Sequence, residues 1–188
     1  GRPGPPSFMF RPVRTRLLNE LEDGFAERPK VISIVAPMGY GKTVLMSELY
    51  AGIRKVEDAC LWVGLDDRHV SVDRVLNSIE SAIAGPEAQL HPTQALLRGD
   101  NPMESRVEEL IDAISRLPGP CTLFIDNLSS CVDESLGTLL DALIFRTPSA
   151  VRFVWSSATQ LSFNLGRARL EGLIRHIGFS DLRFNEGE

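Results

Sequence analysis

Ala36-Pro37-Met38-Gly39-Tyr40-Gly41-Lys42-Thr43 is the stretch on which the reading of the chain turns. It stands directly behind the apolar run Val31-Ile32-Ser33-Ile34-Val35 and directly before Val44-Leu45-Met46-Ser47-Glu48-Leu49-Tyr50. Strand, glycine-bearing loop and helix start therefore follow one another without a gap, which is the context a phosphate-binding loop requires. Glycines at 39 and 41 let the backbone curl so that several N–H groups face one anion. Lys42 has the reach for β- and γ-phosphates, and the Thr43 hydroxyl suits Mg²⁺. The helix that follows turns its positive end to the same point. Ala36 stands where such loops usually open with glycine, and alanine still permits a close turn. A glycine-rich turn with a chance lysine is the bland alternative, but it leaves the flanking strand and helix unexplained. The expectation is a nucleoside triphosphate held by Ala36, Pro37, Met38, Gly39, Tyr40, Gly41, Lys42 and Thr43.

A second motif answers the first. Cys121-Thr122-Leu123-Phe124-Ile125-Asp126 is an apolar run ending in a carboxylate. That places Asp126 at the carboxyl edge of a buried strand, beside the loop if the two strands are neighbours, where it can hold the Mg²⁺ shell together with Thr43. Asn127 follows, where many ATPases place a second carboxylate to polarise the attacking water. An amide orients water at most, because it cannot accept the proton. Lys42, Asp126 and Asn127 are thus the candidate catalytic residues, Thr43 and Asp126 the candidate Mg²⁺ ligands, and turnover is expected to be slow. Val151-Arg152-Phe153-Val154-Trp155-Ser156-Ser157 is a further strand, whose terminal serines could bond toward a γ-phosphate but supply no charge. No Asn-Lys-x-Asp element for reading guanine occurs in the chain, which leaves ATP or ADP.

The framework around these motifs alternates strands and helices. Residues 43–55, with Val44, Leu45, Leu49 and Ile53, read as the helix after the loop. Cys60-Leu61-Trp62-Val63-Gly64-Leu65 reads as a buried strand ending at Asp66-Asp67-Arg68, where the acidic pair is either a helix start or a water-orienting group. Val72, Val75, Leu76, Ile79 and Ile83 mark a helix stopped by Gly85-Pro86, and residues 86–102 a proline-bearing surface excursion. Glu104 to Leu117 and Leu136 to Ile144 mark two more helices, and Leu173 to Ile177 a fifth strand. Ahead of the first strand, residues 1–10 read as an extended lead-in. The helix starting near Thr15 follows, with Arg11, Arg14 and Arg16 either on a solvated face or folded over the nucleotide. Arg11 and Arg16 are the ones taken as candidate contacts to it.

Bulk properties narrow the class. The 188 residues suit one domain with a full core, and 43% hydrophobic with 24% charged residues is ordinary for a globular protein. A net charge of −5 argues against a dedicated nucleic-acid surface. No stretch approaches the roughly 18 apolar residues of a membrane span. The three cysteines, Cys60, Cys121 and Cys131, have no metal-ligand spacing and fit a reduced, cytoplasmic setting. The chain is expected to be part of a longer protein.

The chain resembles the ATPase core of MalT-like STAND regulators, the large ATP-binding LuxR-type transcription factors. The resemblance runs over residues 11–188 and is carried by Arg11-Pro12, Val35 to Thr43, Leu61 to Asp67, Leu123 to Asp126 and Asp181-Leu182-Arg183-Phe184. It implies an α/β P-loop NTPase of the ASCE type: a five-stranded parallel sheet in the order 5-1-4-3-2 with helices on both faces. It also implies an ATP- or ADP-binding switch that self-associates in the full-length protein and meets DNA only through a carboxyl-terminal domain beyond this chain. The family often carries Asp-Asp where this chain has Asp126-Asn127, and Ser-Arg where it has Ser156-Ser157. Both departures weaken hydrolysis more than binding. Two other classes compete. In a small-molecule P-loop kinase, Asp66-Asp67 would bind the acceptor and Arg167 and Arg169 would close as a lid. In a scaffold, the fold would persist without nucleotide. A strand lying between the loop strand and the Asp126 strand favours the switch, whereas direct adjacency favours a kinase.

Overall fold

Apolar runs bounded by turn residues become strands, and runs with apolar residues every three or four positions become helices. The computed structural model describes residues 29–37, 39, 41–55, 59–66, 71–85, 102–131, 133–159, 161 and 166–178. In chain order these form β1 (Val31–Val35), α1 (Lys42–Ile53), β2 (Ala59–Gly64), α2 (Val72–Ala84) and α3 (Met103–Ser115). There follow β3 (Cys121–Asp126), a 3-10 turn (Leu128–Ser130), α4 (Ser135–Arg146), β4 (Val151–Ser157), α5 (Gly166–Leu170) and β5 (Ile174–Ile177). The lead-in, the Thr15 helix with Arg11 and Arg16, the excursion up to residue 101, Asp67, Arg68 and residues 181–184 lie outside the described residues.

Every strand pairs in parallel, and the sheet runs β2-β3-β4-β1-β5. Read from the other edge, that is the expected 5-1-4-3-2. Parallel neighbours need crossover helices, which cover both faces and make the inner strands mainly apolar, while the edge strand β5 exposes Arg175 and His176. Strand alternation divides the core between those faces. Ile32, Ile34, Trp62, Phe124 and Val154 pack with Leu45, Met46 and Leu49 of α1. Leu61, Leu123, Ile125, Phe153 and Trp155 pack with Leu76, Ile79, Leu110, Ile114, Leu139 and Leu143 of α2, α3 and α4. Period two also separates the tandem serines of β4: Ser156 shares the α1 side with Val154, and Ser157 shares the other with Trp155.

Two buried cations hold the helical layers. Arg106 of α3 sits among apolar neighbours and donates to Asp73 (2.7 Å) and Asn77 (2.6 Å) of α2, so it ties those helices together. Lys30, at the amino end of β1, donates to the carbonyls of Pro148 (2.7 Å) and Thr147 (3.4 Å) just past α4. Its ammonium also lies 5.7 Å from the centre of the Phe153 ring. Burial lowers the Lys30 pKa to about 8.

Helix α5 is too short to show a period in the sequence, and there it reads only as an arginine-bearing connection. It packs through Ala168, with the Arg167 guanidinium 4.0 Å over the Phe145 ring and 3.2 Å from Glu171. Phe145 belongs to α4, on the side of the sheet away from α1, so Arg167 is not placed to close over the loop as a lid.

Candidate functional site

Because all five strands point the same way, their carboxyl ends gather Val35, Gly64, Asp126 and Ser157 at one edge, which is where open α/β sheets place ligands. The loop leaves β1 without breaking its ladder. The Ala36 amide still donates to the Ser157 carbonyl at 3.1 Å, and Ala36 is buried. Asn127 is the only non-glycine with positive φ among the described residues, so position 36 makes no demand that only glycine meets. The left-handed turns come later, at Gly39 (φ 88°) and Gly41 (φ 80°). A Cβ on Gly39 would meet no atom within 4 Å, so backbone conformation rather than space requires glycine there. Pro37 is exposed, and Met38 and Tyr40 lie outside the described residues.

Gly41 caps the amino end of α1, and the first turn of that helix carries no acidic residue. The amides of the first turn thus face the loop with their positive character intact. Behind the loop, Tyr50 meets Trp62 and Phe124 edge-on at 5.8 and 5.4 Å, and Trp62 stacks on Phe124 at 5.9 Å. These rings fix α1 against β2 and β3 and so fix the direction in which the helix points.

At the opening, Lys42 Nζ donates to the Ala36 carbonyl, spanning the loop from end to end. Burial pulls the Lys42 pKa below that of an ordinary lysine, and the Asp126 charge opposes the shift. Thr43 Oγ1 donates to Asp126 Oδ2 at 3.2 Å, which joins the two sequence motifs across 83 residues. The other carboxylate oxygen, Oδ1, accepts from Ser156 Oγ at 2.5 Å. Ser156 Oγ in turn accepts from the Asn127 amide at 2.9 Å.

Asn127 has structural partners of its own. Its backbone is left-handed (φ 70°, ψ 48°), a conformation asparagine tolerates better than most residues. Its Nδ2 donates to the Leu65 carbonyl at 3.2 Å, and its Oδ1 accepts from Ser129 Oγ at 3.4 Å. The amide therefore ties the ends of β2 and β3 together, and it must swing off Leu65 before it can orient water. Ser157 is buried on the side away from α1, and its hydroxyl has no hydrogen-bond partner. It does not face the loop. Asp66 is half-buried one residue beyond Leu65. Leu65, Ser129 and Ala158 are the members of the site that the sequence did not single out. An asparagine directly after a strand is a signal for a left-handed turn; it points to the backbone of Asn127 itself and not to the main-chain partners at Leu65 and Ala158.

The donor set suits Mg²⁺ and a phosphate chain. An aliphatic hydroxyl and a carboxylate oxygen in contact are hard oxygen donors of the kind Mg²⁺ prefers, and lysine plus a helix amino end answer polyanionic charge.

Comparison with known proteins agrees on the architecture. No family model matches the chain. Chloroplast phosphoribulokinase of Chlamydomonas reinhardtii is 28% identical over 154 residues, covering 69% of this chain and 41% of that protein. The HTH-type transcriptional regulator MalT of Cronobacter sakazakii is 24% identical over 193 residues, covering 97% of this chain and 21% of that protein. Among solved structures, the Aeropyrum pernix ORC1 protein in complex with DNA superposes with a TM-score of 0.64 at 18% identity. That match covers 90% of this chain and 46% of ORC1. This chain has the nucleotide-binding P-loop NTPase fold. It spans less than half the length of each of these proteins. Among the described residues, no helix is long and apolar enough to cross a membrane.

Proposed function

We propose that this chain is the ATP- or ADP-binding switch domain of a LuxR-type transcription regulator and hydrolyses ATP slowly or not at all. The observation that carries the proposal is the contact between Thr43 and Asp126 beside a glycine loop, with an amide rather than a carboxylate at position 127. In this reading Gly39, Gly41, Lys42 and the amino end of α1 hold the phosphates, with Ala36, Pro37, Met38 and Tyr40 completing the loop. Arg11 and Arg16 reach the nucleotide from the amino-terminal side, and Thr43 and Asp126 hold Mg²⁺. Bound there, Mg²⁺ would offset phosphate charge. The chain's own residues bind and orient: Lys42 leaves the Ala36 carbonyl for the phosphates, and Ser156 keeps the Asp126 carboxylate aimed at Thr43. Nothing at position 127 accepts a proton from water.

The regulator half of the reading draws on the similarity to MalT over nearly the whole chain. DNA contact then belongs to a domain beyond this chain, self-association to the full-length protein, and the setting is the cytoplasm. The similarity to phosphoribulokinase favours a kinase as the second reading. Against it, β4 lies between β1 and β3, an insertion that suits switch-type ATPases and not P-loop kinases. Calorimetry with ADP and ATP, followed by single-turnover hydrolysis with Mg²⁺, tests the proposal. Tight binding that needs Lys42, with turnover far below the common enzymatic range of about 1–1000 s⁻¹, is the expected result. Hydrolysis at the rate of a fast housekeeping ATPase, or phosphoryl transfer to a small acceptor, overturns it.

A further inference from the structure

Two serine hydroxyls in the site have the same arrangement. Ser156 Oγ accepts from the Asn127 amide at 2.9 Å and donates to Asp126 Oδ1. Ser129 Oγ accepts from the Ala158 amide at 2.9 Å and donates to Asn127 Oδ1 at 3.4 Å. A hydroxyl has a single proton, so accepting an amide N–H leaves that proton for the other partner. The bonds therefore share one direction: Ala158 to Ser129 to Asn127, and Asn127 to Ser156 to Asp126. The first run ends on the Asn127 side-chain oxygen and the second on the Asp126 carboxylate, whose other oxygen is held by Thr43 of the loop. Ala158 is the first residue after β4, so it begins the segment that leads to α5.

We infer that Ser156, Asn127 and Ser129 form a relay through which the charge state of Asp126 is felt at Ala158. The inference rests on the nucleotide reading above and names the route by which occupancy of that site leaves it. Donors aligned on an anion polarise one another, and a bond to a charged acceptor is stronger than a bond to a neutral one. When Asp126 shares its charge with a bound cation, Ser156 is held less tightly and so is the Asn127 amide behind it. Saturated Cα and Cβ separate that amide from Asn127 Oδ1, so the effect crosses to Ser129 and Ala158 as a movement of the Asn127 residue and not as polarisation. Asn127 is the hub because its left-handed backbone lets one residue serve both halves: the main-chain N–H goes to Ser156 and the side-chain carbonyl to Ser129. Ser129 touches neither the loop nor Asp126 in this network, which makes it the residue that separates signalling from binding. In this scheme Ser129 and Asn127 are positioning residues.

Amide hydrogen exchange on the full chain tests the relay, with the Asn127 and Ala158 amides read relative to the Val154 amide within β4. The probe is ADP with MgCl₂, against ADP with EDTA, and ADP binding is measured separately by calorimetry. Exchange at the Asn127 amide is expected to rise with ADP and Mg²⁺ and not with ADP and EDTA. The rise is less than the about fivefold that exchanging the charge-assisted Ser156 bond itself for a neutral one is worth, and exchange at the Ala158 amide is expected to rise by less again. Ser129→Ala should abolish the response at Ala158 and keep it at Asn127, and Ser129→Thr, which retains the hydroxyl, should restore it. Asp126→Asn removes the charge without any nucleotide and should speed both amides, Asn127 more than Ala158. Bound Mg²⁺ and ADP with both amides unchanged, or an Ala158 response that survives Ser129→Ala, overturns the relay. Absence of ADP binding overturns the nucleotide reading instead, and the Asp126→Asn comparison then decides the relay alone: faster exchange supports it, unchanged exchange ends it.

Discussion

Asn127 offers the sharpest test because its backbone and its side chain make separable contributions. The residue is left-handed, at φ 70° and ψ 48°, and its amide bonds Leu65 at 3.2 Å and Ser129 at 3.4 Å. Asn127→Gly keeps the backbone at ease and deletes both side-chain bonds. At about 0.5–1.5 kcal/mol each, with the longer bond at the low end, the loss comes to about 1–2 kcal/mol. Asn127→Ala deletes the same bonds and adds a left-handed penalty of about 1 kcal/mol that glycine escapes. The order of stability is therefore wild type, then glycine, then alanine. Asn127→Asp keeps size and backbone tolerance but sets a carboxylate oxygen against the Leu65 carbonyl, for about 1–3 kcal/mol at neutral pH. Protonating that carboxyl turns it back into a donor, so the aspartate variant recovers toward wild type as the pH falls through the carboxylate range. Urea denaturation with a shared m-value reads all four proteins, and each kcal/mol corresponds to about 2–4 °C in Tm for a chain of this size. Alanine equal to or better than glycine would show that position 127 is not left-handed and would remove the basis for its tying role.

Lys42→Ala should abolish the thermal shift given by ATP or ADP, which for wild type at about a hundred times Kd is worth about 2.7 kcal/mol. A shift that survives the substitution moves the nucleotide away from the loop. Lys30 gives a pH signature: its folded pKa of about 8 lies below the ordinary 10.5, so between those values the unfolded chain holds the extra proton and stability rises with pH. Wild type should therefore gain on Lys30→Met across that window, by at most about 3 kcal/mol and less by whatever the Thr147 and Pro148 carbonyls return to the ammonium; a flat difference in denaturation midpoint refutes it. Ser157→Arg should lower stability by about 3 kcal/mol or more, because it buries an unpaired guanidinium on the side of the sheet away from the loop, without tightening ATP binding. Tighter binding by calorimetry would show that position 157 reaches the phosphates.

The fold was legible because its signals were redundant. The inner strands are mostly apolar runs bounded by turn residues, and each long helix carries its apolar stripe, as Val72, Val75, Leu76 and Ile79 do in α2. The strand order is different: the residues alone leave open whether a strand lies between the loop strand and the Asp126 strand. The order is implied by the resemblance, and β4 lies between β1 and β3. Helix α5 escaped because five residues hold no period and its packing depends on Phe145, far away in sequence. The pairing of Thr43 with Asp126 was legible from chemistry alone. What lay beyond reach were contacts made by main-chain atoms. The Leu65 carbonyl and the Ala158 amide carry no residue identity, so no reading of side-chain types could have placed them in the site.

The same distinction changes the weight of the two departures from the resembled pattern. Read as letters, Asn127 and Ser157 look like equal losses, one of a base and one of a positive charge. On a strand, adjacent residues face opposite sides, and Ser156 holds the site-facing position through its bond to Asp126. Ser157 is turned to the Trp155 side, where an arginine could reach a phosphate only by leaving the strand's register. The departure at 157 therefore takes little from a γ-phosphate contact. Asn127 is different, because it stands at the end of β3 beside Asp126 with its amide already committed to Leu65. The proposed weakness in hydrolysis thus rests on one residue, and that residue also holds three strand ends together. A carboxylate regained at 127 would have to supply a base and find another way to hold Leu65, so chemistry and architecture compete for the same side chain.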